Sequence, residues 1–168
     1  MNFKYCPRCA HRLIKKNHEG AQRLFCSSCD FVFFQNSKPT AAALITDNQE
    51  RILLVKRKID PFKNYWDLPG GFLELAEEPK KGLAREMKEE LGIEIKISSF
   101  FDIIIDGYHD NGIKIATLNI YYLAKISSGK PKPDSDISAF KWFAKKDIPF
   151  DKLAFSCNGK VLKKWLKI

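Results

Sequence analysis

Apolar and polar positions alternate along this chain in blocks, and the period of the alternation changes near its middle. Residues 40–46 and 51–57 are short β-rich runs flanking Asp47-Asn48-Gln49-Glu50, a stretch suited to a hairpin loop. Residues 58–65 carry Pro61 and Asn64 and read as a loop. From Pro79 to Gly92 the period becomes helical, with Leu83, Ala84, Met87 and Leu91 in one apolar stripe. Pro79 suits the first helical position and Gly92 the terminating one. Residues 93–106 and 113–126 are long strand-like runs around a turn holding Gly107 and Asn111-Gly112. Residues 127–136 form a polar loop, expected to be mobile, and residues 137–145 a further strand. Toward the end, Val161, Leu162, Trp165 and Leu166 fall on one side of a short amphipathic helix that should dock on the core. Mixed strands with one central and one C-terminal helix give an α+β reading.

The central helix carries an unusual charge pattern. Glu86, Glu89 and Glu90 lie three and four residues apart beside the apolar stripe, where like charges repel. A hard divalent cation would turn that repulsion into binding, since Mg²⁺ prefers carboxylate oxygens. The competing reading is a solvated acidic face balanced by Lys80, Lys81 and Lys88.

The spacing around those acids resembles the Nudix box, the signature of hydrolases that act on a nucleoside diphosphate linked to another group. Gly71, Glu77, Arg85, Glu86, Met87, Glu89, Glu90, Gly92 and Ile93 fill every defined position of that pattern. The lead-in Tyr65-Trp66-Asp67-Leu68-Pro69-Gly70-Gly71-Phe72 is similar to that of the family, and the resemblance covers residues 38–168. It implies an α/β/α sandwich and hydrolysis of a phosphoanhydride bond with Mg²⁺ or Mn²⁺. Under it, Glu86, Glu89 and Glu90 are metal ligands, Glu86 is also the base in the family's usual scheme, and the Gly71 carbonyl adds an oxygen. Arg85 orients the carboxylates, and Glu77 does supporting or ligand work at the helix start.

The chain also departs from its relatives. Ribbon-bearing family members often read Glu-Ile-x-Glu-Ala-x-Trp-Phe late in the domain, where this chain has Asp136-Ile-Ser-Ala139-Phe-Lys-Trp142-Phe143. Either Asp136 or Asp134 supplies the missing acid, or the box suffices. The Ser-Gln-Pro-Trp-Pro-Phe hallmark of NADH pyrophosphatases is absent, and the corresponding region begins Ser98-Ser99-Phe100-Phe101. ADP-ribose or an ADP-containing dinucleotide such as NADH or FAD is the expected substrate, with an oxidised nucleoside triphosphate as the alternative. Phe62, Tyr65, Trp66 and Phe72 are candidates to stack on a base, and Arg57 and Lys114 to contact phosphate. A Nudix-like sensor that binds a nucleotide without cleaving it is the competing class, but such domains tend to lose the acids kept here.

Cysteine spacing is the second strong signal. Cys6-Pro-Arg-Cys9 and Cys26-Ser-Ser-Cys29 are two C-x-x-C pairs sixteen residues apart, the arrangement of a four-thiolate Zn²⁺ site. Such a closed site is structural and leaves no position for chemistry. The pairs resemble the knuckles of a zinc ribbon, placed at residues 1–36. A glycine often follows such pairs, whereas Ala10 and Asp30 do here, so the first knuckle is expected to be tighter or differently shaped. His11 or His18 replacing a thiolate is the minor alternative. Cys157, the odd one, reads as a small buried hydrophobe.

With 168 residues the chain suits one medium domain plus a small appendage. No apolar run approaches a membrane span and no signal peptide precedes the first cysteines, so a cytoplasmic protein without a membrane partner is expected. The net charge of +9 suits polyanions in general. Lys4, Arg8, Arg12, Lys15, Lys16 and Arg23 make the ribbon basic, and Phe3, Tyr5 and Phe25 offer rings. Such residues more often clothe a very small domain, which weighs against nucleic acid as a partner. A small-molecule nucleotide is the expected one, and a homodimer is left open.

Overall fold

The computed structural model describes residues 3–110 and 113–168. A small sheet comes first, made of β1 (Ile14–His18), β2 (Ala21–Phe25) and β3 (Val32–Phe33) in that order. One of its faces packs Leu24 and Phe31 against Leu13 and the four cysteines. The rest of the chain builds two further sheets. One has the order β7 (Gly70–Phe72), β4 (Lys38–Ile45), β9 (Ile113–Ser128), β8 (Glu94–Asp110), with the β4–β9 pair parallel. The other has the order β10 (Ile137–Phe143), β5 (Ile52–Arg57), β6 (Trp66–Asp67).

Strand alternation divides the core into two layers. Ala41, Ala43 and Ile45 of β4, with Leu53 and Val55 of β5, face Leu83, Met87 and Leu91 of α1 (Pro79–Leu91). The intervening Leu44, Ile52 and Leu54 face Val161, Leu162 and Trp165 of α2 (Ser156–Trp165). The result is an α/β/α sandwich. Leu83, Met87 and Leu91 are fully buried, so truncating any one to alanine costs about 2–5 kcal/mol. Among the described residues no helix is long and apolar enough to cross a membrane.

Several expectations need correcting. The runs on either side of Asp47–Glu50 are not a hairpin: they meet at Thr46 and Ile52, then diverge into different sheets. Each run must bury both its faces, and two-sided burial is met by two neighbours in separate sheets rather than by each other. Gly107 lies within β8 opposite Ala116, not in a turn, because a Cβ there would stand 2.7 Å from the Ile115 carbonyl oxygen. Asn111-Gly112 lies outside the described residues. The loop after β9 is anchored to α1, with Lys132 N–H donating to the Leu91 carbonyl and Asp134 N–H to that of Glu90. It thereby satisfies two of the orphan carbonyls at the helix end. α2 begins at Ser156, five residues ahead of the first member of its apolar stripe, Val161.

Candidate active site

α1 starts at Pro79 and ends where Gly92 turns left-handed at φ 63°, its N–H bonded to the Lys88 carbonyl. That frame fixes which side of the helix each acid occupies. Glu90 points inward and is buried, Glu86 is largely covered, and Glu89 is half exposed. Arg85 ties the first turns together. Its guanidinium grips Glu77 with two bonds, Nε to Oε1 at 2.9 Å and a terminal nitrogen to Oε2 at 3.0 Å. It also donates to Glu86 Oε1 at 2.9 Å, Glu89 Oε2 at 3.0 Å and the Phe72 carbonyl at 3.2 Å. Glu77 in turn accepts the Glu74 N–H, pinning the loop that leads into α1.

The two glycines of the lead-in are needed for close approach. A Cβ on Gly71 would stand 2.5 Å from the Glu86 carboxylate, and one on Gly70 would stand 2.2 Å from the Ala41 carbonyl oxygen. Gly70 also takes φ 141° and donates its N–H to Glu90 Oε2 at 3.1 Å. Strand β7 is therefore pressed between β4 and the acidic side of α1.

Beside this edge lies a cavity of about 400 Å³. Gly70, Gly71, Phe72, Glu90 and Asp136 line its acidic end. The other walls come from β5, β6, β8, β9 and the start of α2 with the residue before it, through Arg57, Asp67, Asp106, Tyr108, Thr117, Asn119, Tyr121, Phe155 and Asn158. Hydrogen bonds hold these polar groups. Arg57 donates to Asp67 Oδ2 at 3.1 Å and to the Pro61 carbonyl at 2.8 Å, and Asn158 donates to Asp67 Oδ1 at 2.6 Å. Asn119 accepts from Thr40 at 2.8 Å while its amide reaches Thr117 and the Ile104 carbonyl.

Electrostatics at the acidic end are uncompensated. Burial pushes the Glu90 carboxyl well above the usual range, and the charge of Asp136 raises it further, against the pull of the Gly70 N–H. Burial also raises Glu86, with Glu89 and Asp136 adding and Arg85 opposing. Glu77 is the reverse case, drawn down to about 2 by its hydrogen bonds to Arg85 and the Glu74 N–H. Asp67 is raised by burial despite Arg57. A divalent cation would relieve the strain on Glu86 and Glu90, so the donor set fits a hard metal such as Mg²⁺ or Mn²⁺. Among the described residues these carboxylate oxygens do not converge on one point, because Arg85 and Gly70 already engage them.

The structure thus brings together Gly71, Glu77, Arg85, Glu86, Glu89 and Glu90, with Asp136 near enough for its charge to raise Glu86 and Glu90. Asp134 is turned away, its Oδ1 taken by the Ser135 N–H, and it does not line the cavity. Arg57 and Phe72 are on the cavity wall. Trp66 and Lys114 are not: Trp66 packs edge-on against Phe143 in the core, and Lys114 sits exposed near the outer end of β9. Thr117, Asn119, Asp106, Phe155 and Asn158 were not singled out from the sequence. The available signal was polar residues recurring at alternate positions of an otherwise apolar strand.

At the other end of the chain the four cysteine sulfurs lie within 4.8 Å of one another, with separations of 3.4–3.7 Å between bonded pairs. Tetrahedral Zn–S bonds of about 2.3 Å require sulfurs about 3.8 Å apart, so the cluster fits zinc. Burial raises Cys26, but the Ser28 N–H and neighbouring thiols bring it down to about 7, whereas burial and the same neighbours push Cys29 up to about 12. Such thiols ionise together only around a cation. The two knuckles match: Ala10 and Asp30 have φ 60° and 56°, and Cys6 and Cys26 donate to the carbonyls of His11 and Phe31. Ala10 therefore does not reshape the first knuckle. His11 and His18 are not among the clustered ligands. Cys157 is buried, and burial pushes its thiol up to about 12.

An acidic helix beside a polar cavity, on an α/β/α sandwich, is the framework of a hydrolase. Residues 36–165 match the NUDIX domain, and the chain belongs to the Nudix hydrolase family. It is 31% identical over 123 residues to the ADP-ribose pyrophosphatase of Methanocaldococcus jannaschii, covering 73% of this chain and 70% of that one. It is 24% identical over 149 residues to the NAD-capped RNA hydrolase NudC of Vibrio parahaemolyticus, covering 88% of this chain but only 54% of that one. A solved NUDIX hydrolase from Nitrosomonas europaea superposes with a TM-score of 0.80 at 26% identity, over 98% of this chain and 91% of that one.

Proposed function

We propose that residues 38–168 hydrolyse the phosphoanhydride bond of a nucleoside diphosphate linked to a second group, with ADP-ribose or an ADP-containing dinucleotide as substrate. Residues 1–36 form a zinc ribbon beside that domain, with Cys6, Cys9, Cys26 and Cys29 holding Zn²⁺. The observation that carries the reading is the Arg85-held array of Glu77, Glu86 and Glu89 beside Glu90 and Asp136, at one end of a cavity of about 400 Å³. The similarity to an ADP-ribose pyrophosphatase supports the ADP-linked class.

Glu86, Glu89 and Glu90, with the Gly71 carbonyl, would hold Mg²⁺ or Mn²⁺, which supplies Lewis-acid charge neutralisation and lowers the pKa of water. Arg85 fixes the carboxylate geometry and touches no reacting atom. Asp136, beside Glu90 at the acidic end of the cavity, is the acid that stands in for the substituted Ala139, in preference to Asp134. Glu86 or Asp136 accepts the proton of the attacking water. Arg57, already seated on the wall by Asp67, offers its remaining donors to phosphate, and Phe72 offers its exposed ring to a base.

The test is a panel of ADP-ribose, NADH, FAD and 8-oxo-dGTP with Mg²⁺, with products separated by chromatography. ADP-linked substrates should release AMP. A clear preference for 8-oxo-dGTP, with release of pyrophosphate and a monophosphate, would transfer the assignment to house-cleaning of oxidised triphosphates. Tight nucleotide binding with no turnover on any substrate would point to a sensor.

A further inference from the structure

The N-terminal sheet has one face on the cysteine cluster and one face open. Register assigns each residue to a face. Ile14 pairs with Phe25, Lys16 with Arg23, and Phe25 with Val32, so these side chains share the face opposite Leu24 and Phe33. On that open face the cations lie over rings. The Lys16 ammonium is 4.2 Å from the Phe25 centroid, and the Arg23 guanidinium is 4.4 Å from that of Phe34, which His18 also meets edge-on at 6.3 Å. Phe34 and Ile14 remain about half exposed.

Three features set this face apart from an ordinary solvated surface. Lys16 and Arg23 pair with no carboxylate among the described residues, and Arg23 Nε is buried without a hydrogen-bond partner. The hairpin's single acid, Glu19, sits beside His18 at 4.0 Å. Finally, rings and cations alternate across adjacent strands, and a guanidinium stacked on a ring presents a second flat surface of its own.

We propose that this open face is a binding site for single-stranded nucleic acid, whose bases stack on the Arg23 guanidinium and the exposed part of Phe34 while Lys16 and the flanking basic residues meet phosphates. Unpaired bases expose the flat surfaces that such a platform needs, whereas a duplex hides them. A membrane surface would favour rings free of charge, but a cation lies over each of the two rings. The strand would run toward the cavity. Phe34 is four positions before Lys38, at most about 14 Å of chain. The Lys38 ammonium lies 5.9 Å from the Phe72 centroid, and Phe72 lines the cavity. The site is independent of the chemistry in that cavity.

The test is fluorescence anisotropy of the zinc-loaded full chain with a labelled single-stranded oligonucleotide about 12 nucleotides long, titrated at several salt concentrations. The single strand should bind saturably, with affinity falling as salt rises, and more tightly than a duplex of the same length. The double variant Arg23→Ala with Phe34→Ala should lose about tenfold or more in affinity. Lys16→Glu, at an exposed position, should weaken binding as well. Both variants should keep their zinc content and their hydrolysis of free nucleotides. Equal affinity for strand and duplex, preference for phosphatidylserine vesicles, or unchanged affinity in both variants would overturn the proposal.

Discussion

Arg85 concentrates more of the site's organisation than any acid does, because one planar guanidinium holds Glu77 through two bonds and spans Glu86 and Glu89. Lysine keeps the charge but cannot reproduce that fork. Arg85→Lys should therefore lower metal affinity or turnover about 10- to 100-fold while the fold persists. Isothermal titration with Mn²⁺ beside a circular-dichroism melt would check it. Glu90 and Glu86 give a second expectation. Both carboxyls are raised, so without added metal the folded state holds their protons more tightly than the unfolded chain does. Their contribution to stability is favourable below the ordinary carboxylate range and is lost as pH rises through the raised values. Without added Mg²⁺, the melting temperature should fall as pH rises above the ordinary carboxylate range, and Mg²⁺ should restore it most at the upper end. A melting temperature that climbs with pH in metal-free buffer would contradict this. Glu77, drawn down to about 2, acts oppositely, and its contribution disappears only in stronger acid. The acids and Arg85 were legible in the sequence because one helix fixes their mutual spacing. Asn119, Asp106 and Asn158 were not, since three separate elements bring them to one cavity.

Elements explain both what the pattern of the chain foretold and where it misled. α1 was legible from its stripe, its leading proline and its closing glycine, all of them local signals. Strands β4 and β5 were also legible, but their pairing was not, because each is apolar on both faces and periodicity carries no partner information. The short β6 and β7 have no periodicity to read, yet β7 carries the glycines that press against Glu86. Gly82, inside α1, shows how tertiary packing overrides propensity. Alanine there would ordinarily favour the helix by about 1 kcal/mol. In this helix its Cβ would stand 2.5 Å from Leu73 and 2.7 Å from the Glu77 carboxylate that Arg85 holds. Gly82→Ala should consequently reduce activity without gaining stability. A variant that melts higher and turns over normally would show that Glu77 is free to move.

At the scale of the whole molecule, a compact catalytic sandwich sits beside a small sheet whose core is a cysteine cluster with few apolar neighbours. Such a sheet buries too little to hold itself together without a metal. Removing Zn²⁺ with a chelator should unfold residues 1–36 while the sandwich keeps its cooperative transition, followed by tryptophan fluorescence, since all three tryptophans lie in the sandwich. The central claim is that the acids of α1 carry the hydrolysis. Glu89 tests it best, because its side chain is half exposed and is held by Arg85 at the helix surface, so Gln can replace it without disturbing the core. The decisive measurement is turnover of the best substrate from the panel by Glu89→Gln across a Mg²⁺ titration, beside its melting curve. Turnover should drop by orders of magnitude with the melting transition unchanged, whereas near-normal turnover at ordinary Mg²⁺ would contradict the account.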